Sequence, residues 1–140
     1  MDQASLSASS SSQPELRFVT CPGASTISAD THQMAYWSWG DPANPRTLVC
    51  VHGLSRQGRD FDTLAARLAD RYHVVCPDVV GRGHSDRLLD AAGYQIFTYV
   101  SDMVTLLQHL RQNKGLEVPF TVDWVGTSMG GLIGLGLSSL

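Results

Sequence analysis

The feature that most constrains the fold is a serine flanked by glycines near the end of the sequence. Ser128 lies in a G-x-S-x-G pattern between two apolar runs, residues 120–125 and residues 132–140. This arrangement predicts a strand, a sharp turn and a helix, with the serine in the turn. Bulky side chains two positions before or after the serine would collide, and Gly126 and Gly130 remove that conflict. The serine is therefore a candidate nucleophile.

The residue after this serine is expected to begin the helix. A backbone N–H in the first turn of a helix has no intrahelical partner and lies at the positive end of the helix dipole. The N–H of Met129 is therefore a candidate donor to an oxyanion. Taken alone the pattern is weak evidence, because 13 of the 140 residues are glycine and a flexible turn would look the same.

A second segment upstream strengthens this interpretation. Residues 47–51 form a β-branched apolar run that ends in a His-Gly pair, His52 and Gly53. A buried strand that leads into such a loop is a suitable place for a second oxyanion donor. The two segments together predict a nucleophile and a site for the charge that develops on the attacked carbonyl.

Three ordered segments resemble those of a known family. They are TLVCVHGLSRQGRDF, VVCPDVVGRGHSDR and VDWVGTSMGGLIG. In this order and spacing they resemble the α/β-hydrolase fold family over about residues 17–140. The resemblance implies an α/β fold, a mostly parallel sheet with helices on both faces, in which strand four lies between strands two and three. It also implies that a catalytic acid and a histidine follow the serine from later loops.

The resemblance implies roles for individual residues. Ser128 matches the nucleophile, Met129 the first oxyanion donor and Leu54 the second, and both donors would act through their backbone N–H groups. His52 matches a histidine that shapes the loop through hydrogen bonds and is not the catalytic base. Gly53 would let the loop backbone approach the substrate carbonyl closely.

A polar loop follows the strand predicted at residues 72–76. The resemblance implies that three of its residues make scaffolding hydrogen bonds, namely Asp78, Arg82 and Ser85. A functional alternative would place His84 or Asp86 in a proton relay. The loop does not fit phosphate binding, because it has no third spaced glycine and no Lys-Ser/Thr pair.

Composition limits the partners that the chain can bind. With 43% hydrophobic residues, a net charge of −3 and a single lysine, Lys114, the chain fits neither a nucleic-acid-binding protein nor a polybasic membrane anchor. No apolar run approaches the roughly eighteen residues of a membrane span. Cys21, Cys50 and Cys76 fit neither a disulfide framework nor a metal site and favour a reducing, cytoplasmic compartment. No spacing implies a metal or an organic cofactor.

The domain organisation is expected to be simple. Residues 1–16 are rich in serine and predict a disordered leader, while residues 17–140 form the N-terminal part of a hydrolase domain with about five strands and three helices. The first two strands are expected to pair antiparallel. Asp60 is expected to cap the first helix and Thr98 the second.

The catalytic partners of the serine are expected to be missing. All five histidines precede Ser128, and no His, Asp or Glu follows it. We therefore expect a truncated core that is inactive alone, with residues 120–125 left as an exposed edge strand. The complete protein would hydrolyse a small-molecule ester or acyl substrate, while thioesterase, carbon–carbon hydrolase and acyltransferase activities stay open. The alternative is a non-catalytic binding or assembly module that uses its edge strand to pair with another protein or to self-associate.

Overall fold

A five-stranded mixed sheet organises the chain. The computed structural model describes residues 13–23, 30–115, 117 and 119–140. The strands are β1 (Glu15–Cys21), β2 (His32–Trp39), β3 (Arg46–Val51), β4 (His73–Pro77) and β5 (Thr121–Gly126). Their order in the sheet is β1-β2-β4-β3-β5. β1 pairs antiparallel with β2 and β2 with β4, whereas β3 runs parallel to both β4 and β5. The predicted position of strand four, between strands two and three, is confirmed.

Three α-helices cover the two faces of the sheet. They are α1 (Asp62–Leu68), α2 (Ile96–Asn113) and α3 (Met129–Ser138), and short 3-10 turns occupy Gly58–Phe61 and Ala91–Gly93. α1 packs on the face that carries Leu48 and Cys50, whereas α2 and α3 pack on the face that carries Val49 and Val51. Because side chains alternate along a strand, β3 contributes to both cores. Helices on both faces were predicted and are confirmed.

Burial along the strands follows their places in the sheet. All five residues of β4 and the last five of β3 are buried, as expected for parallel strands covered on both faces. β5 lies at one edge of the sheet and has no buried residue. The strand predicted to lie at an edge is therefore found there.

Both predicted helix caps are wrong. Asp60 lies inside the 3-10 turn before α1, and its carboxylate accepts a hydrogen bond from Arg56 Nε at 2.6 Å. Helix α1 begins two residues later without a side-chain cap. Thr98 is the third residue of α2, which starts after Gln95 in extended conformation. Local sequence could not reveal the 3-10 turn, because the turn depends on how Gly58 packs against β4: a Cβ at this glycine would lie 2.5 Å from the carbonyl oxygen of Cys76.

The expected leader falls largely on residues 1–12, which lie outside the described residues. β1 already begins at Glu15, two residues before the expected domain boundary. None of the helices in the described part of the chain has the length and apolar character that a membrane crossing requires.

Candidate active site

Ser128 occupies a sharp corner between β5 and α3. Its backbone has φ 52° and ψ −110°, and among the described residues it is the one non-glycine with positive φ. Such a conformation costs on the order of 1–3 kcal/mol and persists only where the surroundings impose it. The predicted strand, turn and helix are therefore present, with the serine at the strained position.

Two glycines make this corner possible. A Cβ on Gly126 would lie 2.4 Å from both the carbonyl carbon of Gly130 and the nitrogen of Gly131. A Cβ on Gly130 would lie 2.0 Å from the carbonyl oxygen of Val51. Any side chain at either position would overlap the backbone, so the predicted steric requirement is confirmed.

The His-Gly loop after β3 lies directly against the serine corner. The N–H of Thr127 donates to the carbonyl of Val51 at 3.0 Å. A Cβ on Gly53 would lie 3.7 Å from the Cβ of Ser128, which is ordinary van der Waals contact. Leu54 follows in this loop with an exposed side chain, and Met129 begins α3 with its side chain in the core. The structure thus brings together the loop and the turn that carry the three predicted site residues.

His52 is fixed by the backbone on both sides of its ring. Its Nε2 accepts a hydrogen bond from the N–H of Val79 at 3.0 Å, and its Nδ1 lies 2.7 Å from the carbonyl oxygen of Gly53. Because a carbonyl only accepts, Nδ1 carries the proton. Burial lowers the pKa of His52, which keeps the ring neutral. The predicted loop-shaping role of His52 is confirmed.

The carboxylate of Asp78 joins the loops after β3 and β4. Its Oδ1 accepts from the N–H of Gly58 at 2.7 Å, and its Oδ2 accepts from the N–H of His84 at 2.9 Å. The side chain is fully buried. In the same loop, the hydroxyl of Ser85 accepts from the N–H of Ala35 at 2.8 Å. The scaffolding roles predicted for Asp78 and Ser85 are therefore confirmed.

Arg82 makes a contact that the sequence did not predict. Its Nε donates to the carbonyl of Leu54 at 2.9 Å, and its Nη1 donates to the carbonyl of Val80 at 2.9 Å. The guanidinium also lies 5.2 Å from the centre of the Tyr99 ring on α2. The predicted scaffolding role of Arg82 is confirmed. The sequence could not indicate that Arg82 holds the Leu54 loop, because the two residues are 28 positions apart.

Comparison with known proteins places this geometry in a family. A family model described as alpha/beta hydrolase fold matches residues 46–139, which include both loops and the serine corner. The chain belongs to the α/β-hydrolase fold family. The resemblance of its three sequence segments to that family is thereby confirmed.

Individual relatives of this α/β-hydrolase differ in their reactions. The chain is 58% identical over 130 residues to a 3-hydroxybutyrate-oligomer hydrolase of Cupriavidus necator, a match that covers 93% of this chain and 41% of that protein. It is 35% identical to a cis-3-alkyl-4-alkyloxetan-2-one decarboxylase of Xanthomonas campestris, covering 74% of this chain and 34% of that protein. A solved α/β hydrolase from Novosphingobium aromaticivorans superposes with a TM-score of 0.73 at 34% identity, covering 91% of this chain and 40% of that one. The chain thus spans about two fifths or less of the length of these relatives.

No histidine of this α/β-hydrolase hydrogen-bonds to Ser128 within the described residues. Each of the five has other neighbours: Asp102 for His32, Gly53 and Val79 for His52, Ser38 and Lys114 for His73, Asp78 for His84, and Tyr36 and Asn113 for His109. A serine nucleophile needs a base within hydrogen-bond reach. Such a base is not among the groups that surround Ser128 in residues 13–23, 30–115, 117 and 119–140.

One buried group of possible metal ligands lies outside the serine site. The ligand atoms of Cys21, His32 and Asp102 lie within 4.8 Å of one another, and all three residues are buried. His32 Nε2 and Asp102 Oδ2 are 2.8 Å apart, and this hydrogen bond raises the pKa of His32. Burial, with a further contribution from Asp102, raises the pKa of the Cys21 thiol. Sequence spacing could not reveal this group, because Asp102 is 70 positions from His32.

Proposed function

We propose that the whole protein is a serine hydrolase that cleaves ester bonds in oligomers of 3-hydroxybutyrate or of a closely related hydroxy acid. The observation that carries the proposal is the strained backbone of Ser128 at the start of α3, against the loop that contains Leu54. The substrate class comes from the 58% identity to a 3-hydroxybutyrate-oligomer hydrolase.

The proposed reaction proceeds in two steps. The hydroxyl oxygen of Ser128 attacks the ester carbonyl carbon while a histidine takes the hydroxyl proton, and the tetrahedral intermediate then expels the alcohol, which receives that proton. Water attacks the resulting acyl-enzyme in the same way and releases the acid. The histidine and its acid partner would come from residues of the whole protein beyond those described here.

The backbone supplies the proposed stabilisation of the intermediate. The N–H of Met129, as the first residue of α3, has no intrahelical acceptor and lies at the positive end of the helix dipole. The N–H of Leu54 would be the second donor, and Arg82 holds the carbonyl of the same residue. Each such donor contributes roughly 10²–10³ in rate in enzymes of this kind.

Labelling with a fluorophosphonate tests the nucleophile directly. We expect the whole protein to be labelled at Ser128 and to hydrolyse 3-hydroxybutyrate dimer and trimer, with a loss of about 10³-fold or more in kcat for Ser128→Ala. The matched control is Ser139→Ala, since Ser139 is an exposed serine at the other end of α3. We expect this variant to retain labelling and turnover.

Two results would contradict the proposal. Undiminished oligomer hydrolysis by Ser128→Ala would remove the serine from the mechanism. Strong labelling of Ser128 with transfer of the acyl group to an added alcohol in preference to water would favour an acyltransferase.

A further inference from the structure

A cleft beside the Leu54 loop is not used by the chemistry proposed above. Its volume is about 330 Å³, and it lies where the loops after β3 and β4 meet. The lining residues are Ser55, Arg56, Gln57, Asp60, Arg82 and Gly83. Ser55 directly follows Leu54, so the cleft begins one residue beyond the proposed oxyanion donor. A group bound there would lie beside the loop whose amide is proposed to hold the oxyanion.

Arg82 gives this cleft a positive charge that has no ion-pair partner among the described residues. Within the described residues no carboxylate lies within ion-pair distance of its guanidinium, whereas Arg56 and Arg59 each bond a neighbouring aspartate. Two of its five N–H groups are held by the carbonyls of Leu54 and Val80, which fix its orientation without neutralising it. A guanidinium fixed in this way is preorganised for a carboxylate.

The other charges of the cleft compensate one another. Arg56 Nε and Asp60 Oδ2 are 2.6 Å apart and form an ion pair. This pairing leaves Arg82 as the source of net charge among the lining residues. Because Arg82 is also half-buried, its interaction with an anion is screened less than at an open surface.

The chemistry of the substrate explains what such a charge would recognise. A 3-hydroxybutyrate oligomer consists of neutral ester units and carries one charge, the carboxylate at its acid end. We propose that the cleft binds this terminal carboxylate through Arg82, so that the enzyme acts preferentially on oligomers with a free acid end. This inference rests on the proposed function and assigns the substrate's orientation in the same site.

A pair of substrates separates recognition from chemistry. The dimer of 3-hydroxybutyrate and its methyl ester contain the same internal ester bond, but only the free acid carries the charge. We expect the whole protein to show a kcat/KM at least tenfold higher for the acid. For Arg82→Gln we expect the ratio of the two kcat/KM values to fall by roughly tenfold to a hundredfold, as for a lost hydrogen bond to a charged group. Any disturbance of the Leu54 loop would lower both rates and cancel in the ratio.

Two further variants sharpen this test. Arg87→Gln removes the same charge from an exposed arginine of the same loop that does not line the cleft, and we expect it to leave the ratio unchanged. Arg82→Lys retains the charge but lacks the planar guanidinium that can bind both carboxylate oxygens. We expect its ratio to lie between those of the native protein and Arg82→Gln.

The failures of the two proposals are distinguishable. Hydrolysis that depends on Ser128 without a preference for the acid, or with the same ratio in Arg82→Gln and the native protein, would overturn the carboxylate site alone. Should neither dimer be cleaved in a Ser128-dependent manner, the proposed function and the inference drawn from it would both fall. If Arg82→Gln does not fold, the ratio of kcat/KM for the acid to kcat/KM for the methyl ester is compared between the native protein and Arg82→Lys. An equal ratio in these two proteins would overturn the carboxylate site.

Discussion

The serine corner shows how a few backbone contacts can dictate residue choice. Gly126 and Gly130 face backbone atoms, which cannot move aside as a flexible side chain would. Ser128 has a conformation that is unfavourable for any residue with a Cβ. Its side chain, by contrast, makes no hydrogen bond that fixes the turn within the described residues. The fold therefore depends on the glycines, whereas the hydroxyl is free for chemistry.

This distinction predicts different outcomes for neighbouring substitutions. We expect Gly126→Val to lower the free energy of unfolding by about 3 kcal/mol or more, because its side chain must displace the backbone of α3. Ser128→Ala should change the free energy of unfolding by no more than about 0.5 kcal/mol from the native value. Urea denaturation of the whole protein would measure both.

A glycine in the same helix provides the control. A Cβ on Gly131 would find its nearest neighbour 3.7 Å away, so Gly131→Ala should stabilise α3 by about 0.5–1 kcal/mol. Equal stability of Gly126→Val and Ser128→Ala would be evidence against the steric account of the corner.

The sequence revealed the serine corner because its requirements are local. Three glycine and serine positions within five residues carry the whole steric argument. The bond from Arg82 to Leu54 could not be predicted, since it depends on how two loops meet in space. The sequence motifs also did not indicate which ester or acyl substrate the site accepts, and the substrate class proposed above comes from the name of one relative.

At the scale of elements, a buried lysine attaches the end of α2 to the sheet. Lys114 donates from Nζ to the carbonyls of Pro42 at 2.6 Å and Asn44 at 2.9 Å, and lies 3.0 Å from Nδ1 of His73. Because an ammonium only donates, Nδ1 must accept, and Nε2 of the same ring donates to Ser38 Oγ at 2.7 Å. His73 is therefore neutral when the fold is intact.

This contact predicts a loss of stability in acid. Burial, with a smaller effect of Lys114, lowers the pKa of His73 from its ordinary 6.5 to about 4. Between these pH values the unfolded chain binds more protons, so the free energy of unfolding falls as pH decreases from 6.5 to 4, by an amount on the order of 3 kcal/mol.

The variant His73→Asn isolates this effect. Its amide oxygen can still accept from Lys114, but it does not titrate. We expect the stability difference between the native protein and the variant to narrow as pH falls through this range in urea denaturation. Parallel stability curves for the two proteins would show that His73 does not govern the acid loss.

Sequence patterns located the elements better than their ends. Apolar runs predicted the strands at residues 47–51, 72–76 and 120–125 to within one residue of their observed bounds, because burial in the sheet follows directly from such runs. Helix α2 buries one apolar face, which includes Tyr99, Met103 and Leu110. Asp102 is buried on the same helix, although periodicity would place a carboxylate outside. Its position depends on His32, a partner that only the folded chain supplies.

At the scale of the whole molecule, the two sheet edges differ. β5 pairs with β3 on one side, and exposed apolar side chains lie on it and on the following helix: Val125, Leu132 and Leu135. β1 forms the opposite edge and pairs with β2. An edge strand with unpaired backbone groups beside an apolar surface is a template for association. We propose that copies of the isolated 140-residue chain associate with one another through β5.

Light scattering after size exclusion would test this association. We expect the isolated 140-residue chain to show a mass well above the 15.2 kDa of one copy. Val125→Lys should shift it toward the monomer, because a charge on an edge strand opposes pairing. Phe18→Lys, on the opposite edge, should not. A monodisperse monomer of the native chain would contradict the association.

The absence of a Cβ at residue 130, a glycine, has a consequence for motion within the site. This glycine lies against the carbonyl of Val51, immediately before the His-Gly loop. The start of α3 and the end of β3 are thereby packed without an intervening layer of side chains that could rearrange. Thermal motion of the domain is then expected to move Ser128 and the His-Gly loop together, so that their separation is preserved while more distant helices shift.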